Sequence, residues 1–299
     1  MIRQHPSRLG RLAGAAWLLA LAGCDGVLAP KGPVGANDRL ILLDALGIML
    51  AIVVPTIVAT LAFAWWFREG NARARYRPDF AYSGRLELIV WSIPILTIIF
   101  LGGLIWMGSH RLDPARPLPS RTKPLEVQVV ALDWKWLFIY PEQRVASVNQ
   151  LVIPAGVPVH FALTSASVMN VFFVPQLGSQ IYAMNGMATN LNLQADRPGL
   201  FRGQASHFSG DGFSDMVFKV RAVAPADFVG WINSVRGQGP VLDMGNYQRL
   251  AKQSQNVKPF TFRAADPALF QRIVMLAVPP SAGPQQGRGG PQVSPGGRS

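Results

Sequence analysis

The sequence predicts a mixed membrane and all-β fold, in which an N-terminal two-helix transmembrane hairpin precedes a β-sandwich and a short helical C-terminal arm. Three observations predict it. Two apolar runs near the N-terminus are each long enough to cross a bilayer. From Leu125 onward, short segments alternate apolar and polar residues and are separated by turn signals. Beyond residue 224, the apolar residues return to helical spacing.

The composition supports membrane insertion and narrows the range of partners. The chain is 49% hydrophobic and only 15% charged, a balance typical of proteins with membrane-spanning segments. Its net charge of +12 favours contact with anionic lipid and disfavours basic partners. The sequence contains no lysine- or arginine-rich recognition helix, so nucleic acid is not an expected partner. The single cysteine, Cys24, excludes an internal disulfide.

The first residues have the pattern of a targeting segment. Arginines precede a short apolar run from Leu12 to Ala22, which is too short for a stable transmembrane helix. Leu21-Ala22-Gly23-Cys24 then resembles a bacterial lipobox. This resemblance implies that residues 1–23 are a lipoprotein signal peptide and that Cys24 is lipidated, with palmitate among the attached chains. The alternative is a buried free cysteine behind a chance apolar run.

The hairpin is predicted within residues 24–110, with helices at about 40–67 and 87–108. The apolar runs from Leu40 to Phe67 and from Leu88 to Met107 each exceed the roughly 20 residues that cross a hydrocarbon layer of about 30 Å. Pro55 and Pro94 lie inside these runs, and membrane helices tolerate such prolines as kinks.

The orientation of the hairpin follows from charge. The connection from Arg68 to Arg85 is short and arginine-rich, which is typical of a cytoplasmic loop. Basic residues after the second helix weaken this asymmetry, but a lipidated Cys24 would lie on the outer face. We therefore expect the inner membrane of a bacterium, with everything after about His110 in the periplasm.

Glu87 opens the second helix on the expected cytoplasmic side. An acidic residue in a first turn stabilises the helix N-terminus by about 0.3–1 kcal/mol, which is the simpler interpretation. An ionisable group at the membrane margin is also typical of a proton path. The spacing alone leaves both interpretations open.

The β-sandwich is predicted over residues 120–223. Its first segment runs from Glu126 through Trp134 and Trp136 to Tyr140, and Pro154-Ala155-Gly156 is one of the intervening turn signals. The later strand-like segments are 150–153, 157–164, 171–174, 180–183, 189–194, 199–204 and 216–223. Many short strands with regular turns indicate a sandwich or barrel of about 100 residues.

Several widely spaced motifs resemble one family. They are Glu87-x3-Trp91-x2-Pro94, Asp133-Trp134-Lys135-Trp136, the runs 167–175 and 178–187, and Lys219. Together with the lipobox they resemble subunit II of the haem–copper respiratory oxidases, in particular the quinol oxidase branch of the cytochrome bo type. The resemblance extends from Cys24 to about Leu276 and implies that the sandwich is a periplasmic cupredoxin-like domain.

Relatives that accept electrons from cytochrome c hold a two-copper centre in this domain. The resemblance places its ligands on an earlier histidine and on a later Cys-x3-Cys-x3-His-x2-Met loop. In this chain the loop lies within Phe201–Met216, and only its methionine is kept, as Met216. The other ligand positions fall on Asn170, Ala205, Ser209 and Phe213. A lone thioether does not hold copper, so no metal and no other cofactor is expected in this chain.

The resemblance therefore implies a subunit II that supports a proton-pumping ubiquinol oxidase complex without redox chemistry of its own. Haem and copper are expected in subunit I, subunits III and IV and membrane lipid are further expected partners, and ubiquinol replaces cytochrome c as donor. The glutamate that Glu87 matches lies near the entrance of a proton channel into subunit I, so the resemblance favours the proton-path interpretation. The alternatives are a cytochrome c oxidase subunit that has lost its copper site and a free-standing ligand-binding lipoprotein.

The remaining residues are expected to have structural roles. Trp134 and Trp136, on alternating positions of an expected strand, are predicted to pack. His207 falls where the copper-bearing relatives use a backbone carbonyl, so it is not a substitute ligand. Residues 224–278 should form the helical arm, with helical patterns at 226–235, 247–253 and 266–276. Residues 279–299, rich in proline, glycine and glutamine, are expected to be disordered.

Overall fold

The computed structural model describes residues 26–75 and 77–281. The signal peptide, Cys24 and most of the expected disordered tail lie outside the described residues. The chain divides into two compact units. We call residues 37–113 the helical unit, and residues 26–36 together with 114–281 the β unit.

The helical unit is built by two long apolar helices, α1 (Pro33–Trp66) and α2 (Gly84–Arg111). Both have a mean hydropathy of 2.5 and are long enough to cross a membrane. Their apolar side chains point outward and are largely exposed, as expected of surfaces that lipid covers. The helices approach closely where a Cβ added at Gly108 would lie 2.7 Å from the Ile41 Cδ1 atom. The predicted hairpin of two apolar helices is confirmed.

Helix α1 begins earlier than its hydropathy suggests. The expected start was about residue 40, but the helix starts at Pro33, a residue that favours the first helical position. Its first turn belongs to the β unit, where Val34 is buried and the Gly35 N–H donates to the Leu177 carbonyl at 3.1 Å. The Lys31 N–H donates to the Gln176 carbonyl at 2.7 Å. Hydropathy misses this turn because its contacts are tertiary.

The β unit is a sandwich of a six-stranded and a five-stranded sheet. The strands are β1 (Leu125–Leu132), β2 (Lys135–Tyr140), β3 (Val145–Val148), β4 (Gln150–Pro154), β5 (Val159–Ser165), β6 (Asn170–Phe173), β7 (Ile181–Ala183), β8 (Thr189–Leu193), β9 (Gly199–Ala205), β10 (Val217–Val223), β11 (Val241–Leu242), β12 (Phe260–Phe262) and β13 (Ala264–Ala265). The first sheet has the order β12-β3-β2-β1-β5-β8 and the second the order β4-β10-β9-β6-β7, and β11 and β13 form a separate small ladder. The arm helices are α3 (Pro225–Arg236), α4 (Met244–Ala251) and α5 (Leu269–Val274).

Aromatic side chains fill the space between the two large sheets. The rings of Phe172 and Phe218 stack at 5.1 Å, and Trp136 meets both edge-on at 5.5 and 5.6 Å. The Tyr140 hydroxyl links the sheets, because it donates to the Val152 carbonyl at 3.0 Å and accepts from the Val152 N–H at 2.9 Å. Burial accordingly raises the pKa of Tyr140.

The first predicted strand is in fact two strands. β1 and β2 form an antiparallel hairpin in which Leu132 pairs with Lys135, so Asp133 and Trp134 are its two-residue loop. Trp134 has a φ of 64°, in the left-handed region. The expectation that both tryptophans lie on one strand was wrong. Tight hairpin turns are usually marked by Asn-Gly or Asp-Gly, and Asp-Trp lacks that signal.

The C-terminal arm covers the outer face of the first sheet. Strand β12 extends that sheet by pairing antiparallel with β3. Leu137 and Ile139 of β2 share a buried cluster with Tyr247, Leu269 and Phe270 of the arm. Because the second sheet packs against its other face, every residue of β2 is buried. A strand that is buried on both faces has a continuous apolar run instead of alternation.

Candidate functional site

The loop that corresponds to the copper loop joins β9 to β10, and its backbone closes on itself. The Ala205 N–H donates to the Met216 carbonyl at 3.0 Å, which joins the two ends of the loop. A short 3-10 turn spans Phe213–Asp215, and Gly210 before it has a φ of 103°, which suits glycine. The loop is therefore ordered by its own hydrogen bonds.

Trp134 braces this loop from the β1–β2 turn. A Cβ added at Gly212 would lie 2.4 Å from the Trp134 ring, so the indole rests directly on the glycine backbone. The indole Nε1–H donates to the Ser209 carbonyl at 3.0 Å, and only 4% of Trp134 is exposed. Trp134 therefore packs as expected, and the segment that it stabilises is the β9–β10 loop. Trp136 packs instead in the core between the sheets.

The other positions that match the copper ligands carry side chains that pack or bond within the protein. Ala205 is buried and pairs with Phe172 of β6. The Ser209 hydroxyl lies 3.9 Å from the Met216 sulfur, and both residues are buried. Asn170 opens β6, where its Nδ2 donates to the Val168 carbonyl at 3.1 Å. Its buried Oδ1 has no hydrogen-bond partner among the described residues.

These donors do not fit a two-copper centre. Copper in such a site requires thiolates and imidazoles. Asn170, Ser209 and Met216 supply an amide, a hydroxyl and one thioether, while Ala205 and Phe213 supply no ligand atom. His207 does not restore the set, since it is the only histidine of the loop and its ring meets Tyr182 edge-on at 6.1 Å. Within the described residues, no three histidine, cysteine, aspartate or glutamate side chains cluster as a metal site would require.

Several large apolar side chains of the β unit remain exposed, and one of them lies on the loop. Phe208 is 73% exposed, and its ring meets Phe213 at 5.7 Å. Tyr182, Met169 and Met187 are also exposed large apolar residues of this unit. Exposed aromatic and methionine side chains of this kind are typical of protein contact surfaces. The sequence pattern did not single out Phe208, because its exposure depends on how the loop folds.

Glu87 belongs to the helical unit. It occupies the first turn of α2, three residues after Gly84, and its side chain is exposed. The Glu87 N–H donates to the Ser83 carbonyl at 3.0 Å, which starts the helical ladder. The structure brings Asn170, Ala205, Ser209, Phe213 and Met216 into one unit but leaves Glu87 in the other.

A buried lysine, missed as a functional candidate in the sequence, ties the arm to the sandwich. Lys135 is 1% exposed, and its ammonium donates to the Asp133 carbonyl at 3.1 Å, the Lys252 carbonyl at 2.7 Å and the Ser254 hydroxyl at 2.8 Å. Burial lowers the pKa of Lys135 to about 8, although the nearby charge of Asp133 opposes the change. A lysine inside an otherwise strand-like run was the available signal.

Comparison with known proteins completes the description of the site. The family described as cytochrome c oxidase subunit II, periplasmic domain, matches residues 126–223, and the COX aromatic-rich motif matches residues 236–281. The chain is 46% identical over 275 residues to the cytochrome bo(3) ubiquinol oxidase subunit 2 of Pseudomonas aeruginosa, which covers 92% of this chain and 83% of that protein. It is 46% identical over 271 residues to the ubiquinol oxidase subunit 2 of Acetobacter aceti, covering 90% of this chain and 88% of that protein.

Among solved structures, the periplasmic domain of subunit II of the cytochrome oxidase of Bradyrhizobium japonicum matches this chain with a TM-score of 0.36 and 24% sequence identity. The match covers 38% of this chain and 96% of the Bradyrhizobium domain. The two curated relatives carry the assignment, because each is matched over most of its own length. The chain belongs to the subunit II family of the haem–copper respiratory oxidases, within the branch of ubiquinol oxidase subunit 2.

Proposed function

We propose that this chain is the non-redox subunit II of a proton-pumping quinol oxidase and has no copper centre of its own. The observation that carries the proposal is the β9–β10 loop, where Ala205 and Phe213 replace ligands and the Trp134 ring rests on the loop backbone. A domain built in this way has no group that can accept and pass on an electron. Its work is support of subunit I, where haem and copper reduce oxygen.

The electron donor follows from the same argument. Without a redox centre in this domain, cytochrome c has no acceptor here. Cytochrome c is itself basic, and a chain of net charge +12 repels a basic protein. Ubiquinol dissolves in the membrane and reaches subunit I directly, which avoids both difficulties. The relatives named ubiquinol oxidase subunit 2 support this choice.

Glu87 takes up protons for the complex in this proposal. Its carboxylate is exposed in the first turn of an apolar helix that is long enough to span a membrane. An ionisable group at the margin of the hydrocarbon layer can exchange protons with water and pass them to a partner. The partner is subunit I, whose proton channel begins near this position in the family.

The remaining assignments concern anchoring and assembly. The two apolar helices and a lipidated Cys24 would hold the chain in the bacterial inner membrane, with the β unit in the periplasm. Oxidase subunits I, III and IV are the proposed protein partners. The exposed Phe208 of the β9–β10 loop and Tyr182, whose ring meets His207 of that loop, are suited to such contacts.

Purification of the oxidase in mild detergent tests the assembly and the metal assignment together. The chain should co-purify with haem-containing subunits, and the complex should oxidise ubiquinol but not reduced cytochrome c. Metal analysis of the complex should find no copper beyond the amount in subunit I. Two further coppers per complex, or a chain that purifies alone while the oxidase remains intact, would contradict the proposal.

Replacement of Glu87 tests proton uptake. We expect Glu87→Ala to slow ubiquinol oxidation several-fold at unchanged haem content, since the carboxylate that accepts protons is lost. Glu87→Asp should retain most of the turnover, because it keeps the titrating group. Glu69→Ala is the matched control, since Glu69 is an exposed carboxylate of the same hairpin that lies outside both helices. Normal turnover in Glu87→Ala would remove the proton-uptake role and leave the helix-terminus interpretation.

A further inference from the structure

A cleft of about 590 Å³ lies on the outer face of the second sheet, and Asp215 of the β9–β10 loop lines one part of it. Strands β9 and β10 form its floor, and the arm segment 256–259 forms one wall. An adjoining cleft of about 500 Å³ shares Leu200, Lys219 and Pro259 with it. A volume of several hundred Å³ suits a small molecule or the head of a lipid.

Four basic side chains line this cleft and the adjoining one. Arg202 and Lys219 are directly opposite each other across β9 and β10, Arg221 follows on the same face of β10, and Lys258 lies on the arm wall. Like charges placed directly opposite each other destabilise a sheet, and an anion bound between them would offset the repulsion. Asp215 is the one acidic residue of the lining. Across residues 26–75 and 77–281, none of the four basic groups takes part in an ion pair.

The cleft also has an apolar part. Leu200 is 63% exposed although it lies on a strand of the sandwich, and it pairs across the ladder with Arg221. Val217 and Val257 contribute further apolar surface to the lining, whereas Phe201 and Phe218 are buried beneath it. Cations alone would suit any anion, whereas cations beside exposed apolar surface favour an anion that carries an apolar body.

The arm wall is held in place before any ligand binds. The Asn149 side chain accepts from the Trp136 N–H at 2.8 Å and donates to the Val257 carbonyl at 2.8 Å. Asn149 and Asn256 both adopt left-handed backbone angles, with φ of 51° and 52°, which fix the turns on either side of the contact. Such preorganisation lowers the ordering cost of binding.

We infer that this cleft binds an amphipathic organic anion, in which a phosphate or carboxylate lies between Arg202, Lys219 and Lys258 and a short apolar body rests on Leu200 and Val257. The C-terminal residues 282–299 are not suited to supply that anion, because they carry Arg288 and Arg298 and no acidic side chain. The anion is either the head of an anionic phospholipid or a soluble molecule of the same chemistry. The inference does not depend on which donor reduces the oxidase.

Binding to the purified oxidase complex in nanodiscs of zwitterionic lipid tests the inference. The probes for calorimetry are dihexanoyl phosphatidylglycerol, hexyl phosphate, inorganic phosphate and dihexanoyl phosphatidylcholine. We expect one or both anionic amphiphiles to bind, with affinity that falls as salt rises. Binding of the lipid alone identifies a phospholipid head, and binding of hexyl phosphate alone identifies a soluble anion.

Matched variants locate the site. Arg202→Gln/Lys219→Gln should weaken binding of the anionic probe at least tenfold, and Leu200→Ser should weaken it several-fold. Arg197→Gln/Lys252→Gln removes the same charge from exposed positions outside the cleft lining and should leave binding unchanged. Equal loss in this control, equal binding of the zwitterionic probe, inorganic phosphate as the only anion bound, or no binding at all would each overturn the inference.

Discussion

The β9–β10 loop and the C-terminal arm are both fastened to the sandwich at the β1–β2 turn, but by opposite means. The loop is held by an uncharged contact, in which the Trp134 ring rests on Gly212 and donates to the Ser209 carbonyl. The arm is held by a buried cation, the Lys135 ammonium, which binds the Lys252 carbonyl and the Ser254 hydroxyl.

Trp134 and Lys135 are neighbours in the sequence, but each attaches a different segment to the sandwich. The positive φ of Trp134 turns its indole toward the loop between β9 and β10, while Lys135 shares the face of β2 that the arm covers. In the proposed function the loop has no metal to order it, so packing replaces coordination. The loop attachment should therefore be insensitive to pH, whereas the arm attachment should depend on it.

The largest expected effect is on the loop. Trp134→Ala removes a large buried ring and one hydrogen bond, and should lower the free energy of unfolding of the β unit by about 3–4 kcal/mol. Chemical unfolding of the full chain in detergent, followed by near-ultraviolet circular dichroism, measures this change. Phe208→Ala is the control, because that exposed ring should cost less than about 0.5 kcal/mol. Equal losses in both variants would show that Trp134 is not the brace.

A smaller effect is expected on the arm. Lys135→Met keeps the apolar stem but leaves the acceptors at Asp133, Lys252 and Ser254 without this donor, and should cost about 2–3 kcal/mol. Limited proteolysis should cut the variant faster between residues 250 and 260 than the parent. Lys252→Ala tests specificity, because only the backbone carbonyl of Lys252 contacts Lys135 and its exposed side chain should be dispensable. An unchanged proteolysis rate in Lys135→Met would refute the attachment.

The smallest effect is the pH dependence of the arm attachment. The pKa of Lys135 is lowered to about 8 in the folded protein, so between that value and its ordinary 10.5 the unfolded chain binds more protons. Stability relative to Lys135→Met should therefore rise by about 1–2 kcal/mol from about pH 7.5 to about pH 9.5. Unfolding midpoints of parent and variant across this range measure the difference. The loss of unfolding free energy caused by Trp134→Ala should stay constant over the same pH range. The same pH trend in that variant would show that the loop attachment and the arm attachment do not differ in pH dependence.

Much of the fold could be predicted because its signals are local. Two uninterrupted apolar runs specify the helices, and alternation with regular turns specifies most strands, including β4, β9 and β10 to within a residue or two. The Asp133–Trp134 turn could not be predicted, since Trp134 has the positive φ and tryptophan is not a usual residue there. The start of α1 at Pro33 was also missed, because its first turn is stabilised by Leu177 in a distant part of the chain.

The candidate sites also differ in whether the sequence alone reveals them. The resemblance to the oxidase family points to Asn170, Ala205, Ser209, Phe213 and Met216, and their side-chain chemistry can then be judged in any conformation. Glu87 and Cys24 are likewise assigned from sequence context, and their roles remain proposals. The basic cleft is invisible in the sequence, because Arg202, Lys219 and Lys258 come from β9, β10 and the arm and are separated by many residues.

By itself, the sequence determined the two apolar helices, the all-β unit that follows them, and the side-chain types of the β9–β10 loop, because hydropathy, alternation and side-chain chemistry are properties of neighbouring residues. Only the tertiary structure decided which faces of the first sheet are buried, which of Trp134 and Trp136 braces the loop, and where unpaired cations meet. These features depend on contacts between distant segments, and local preference does not specify such contacts.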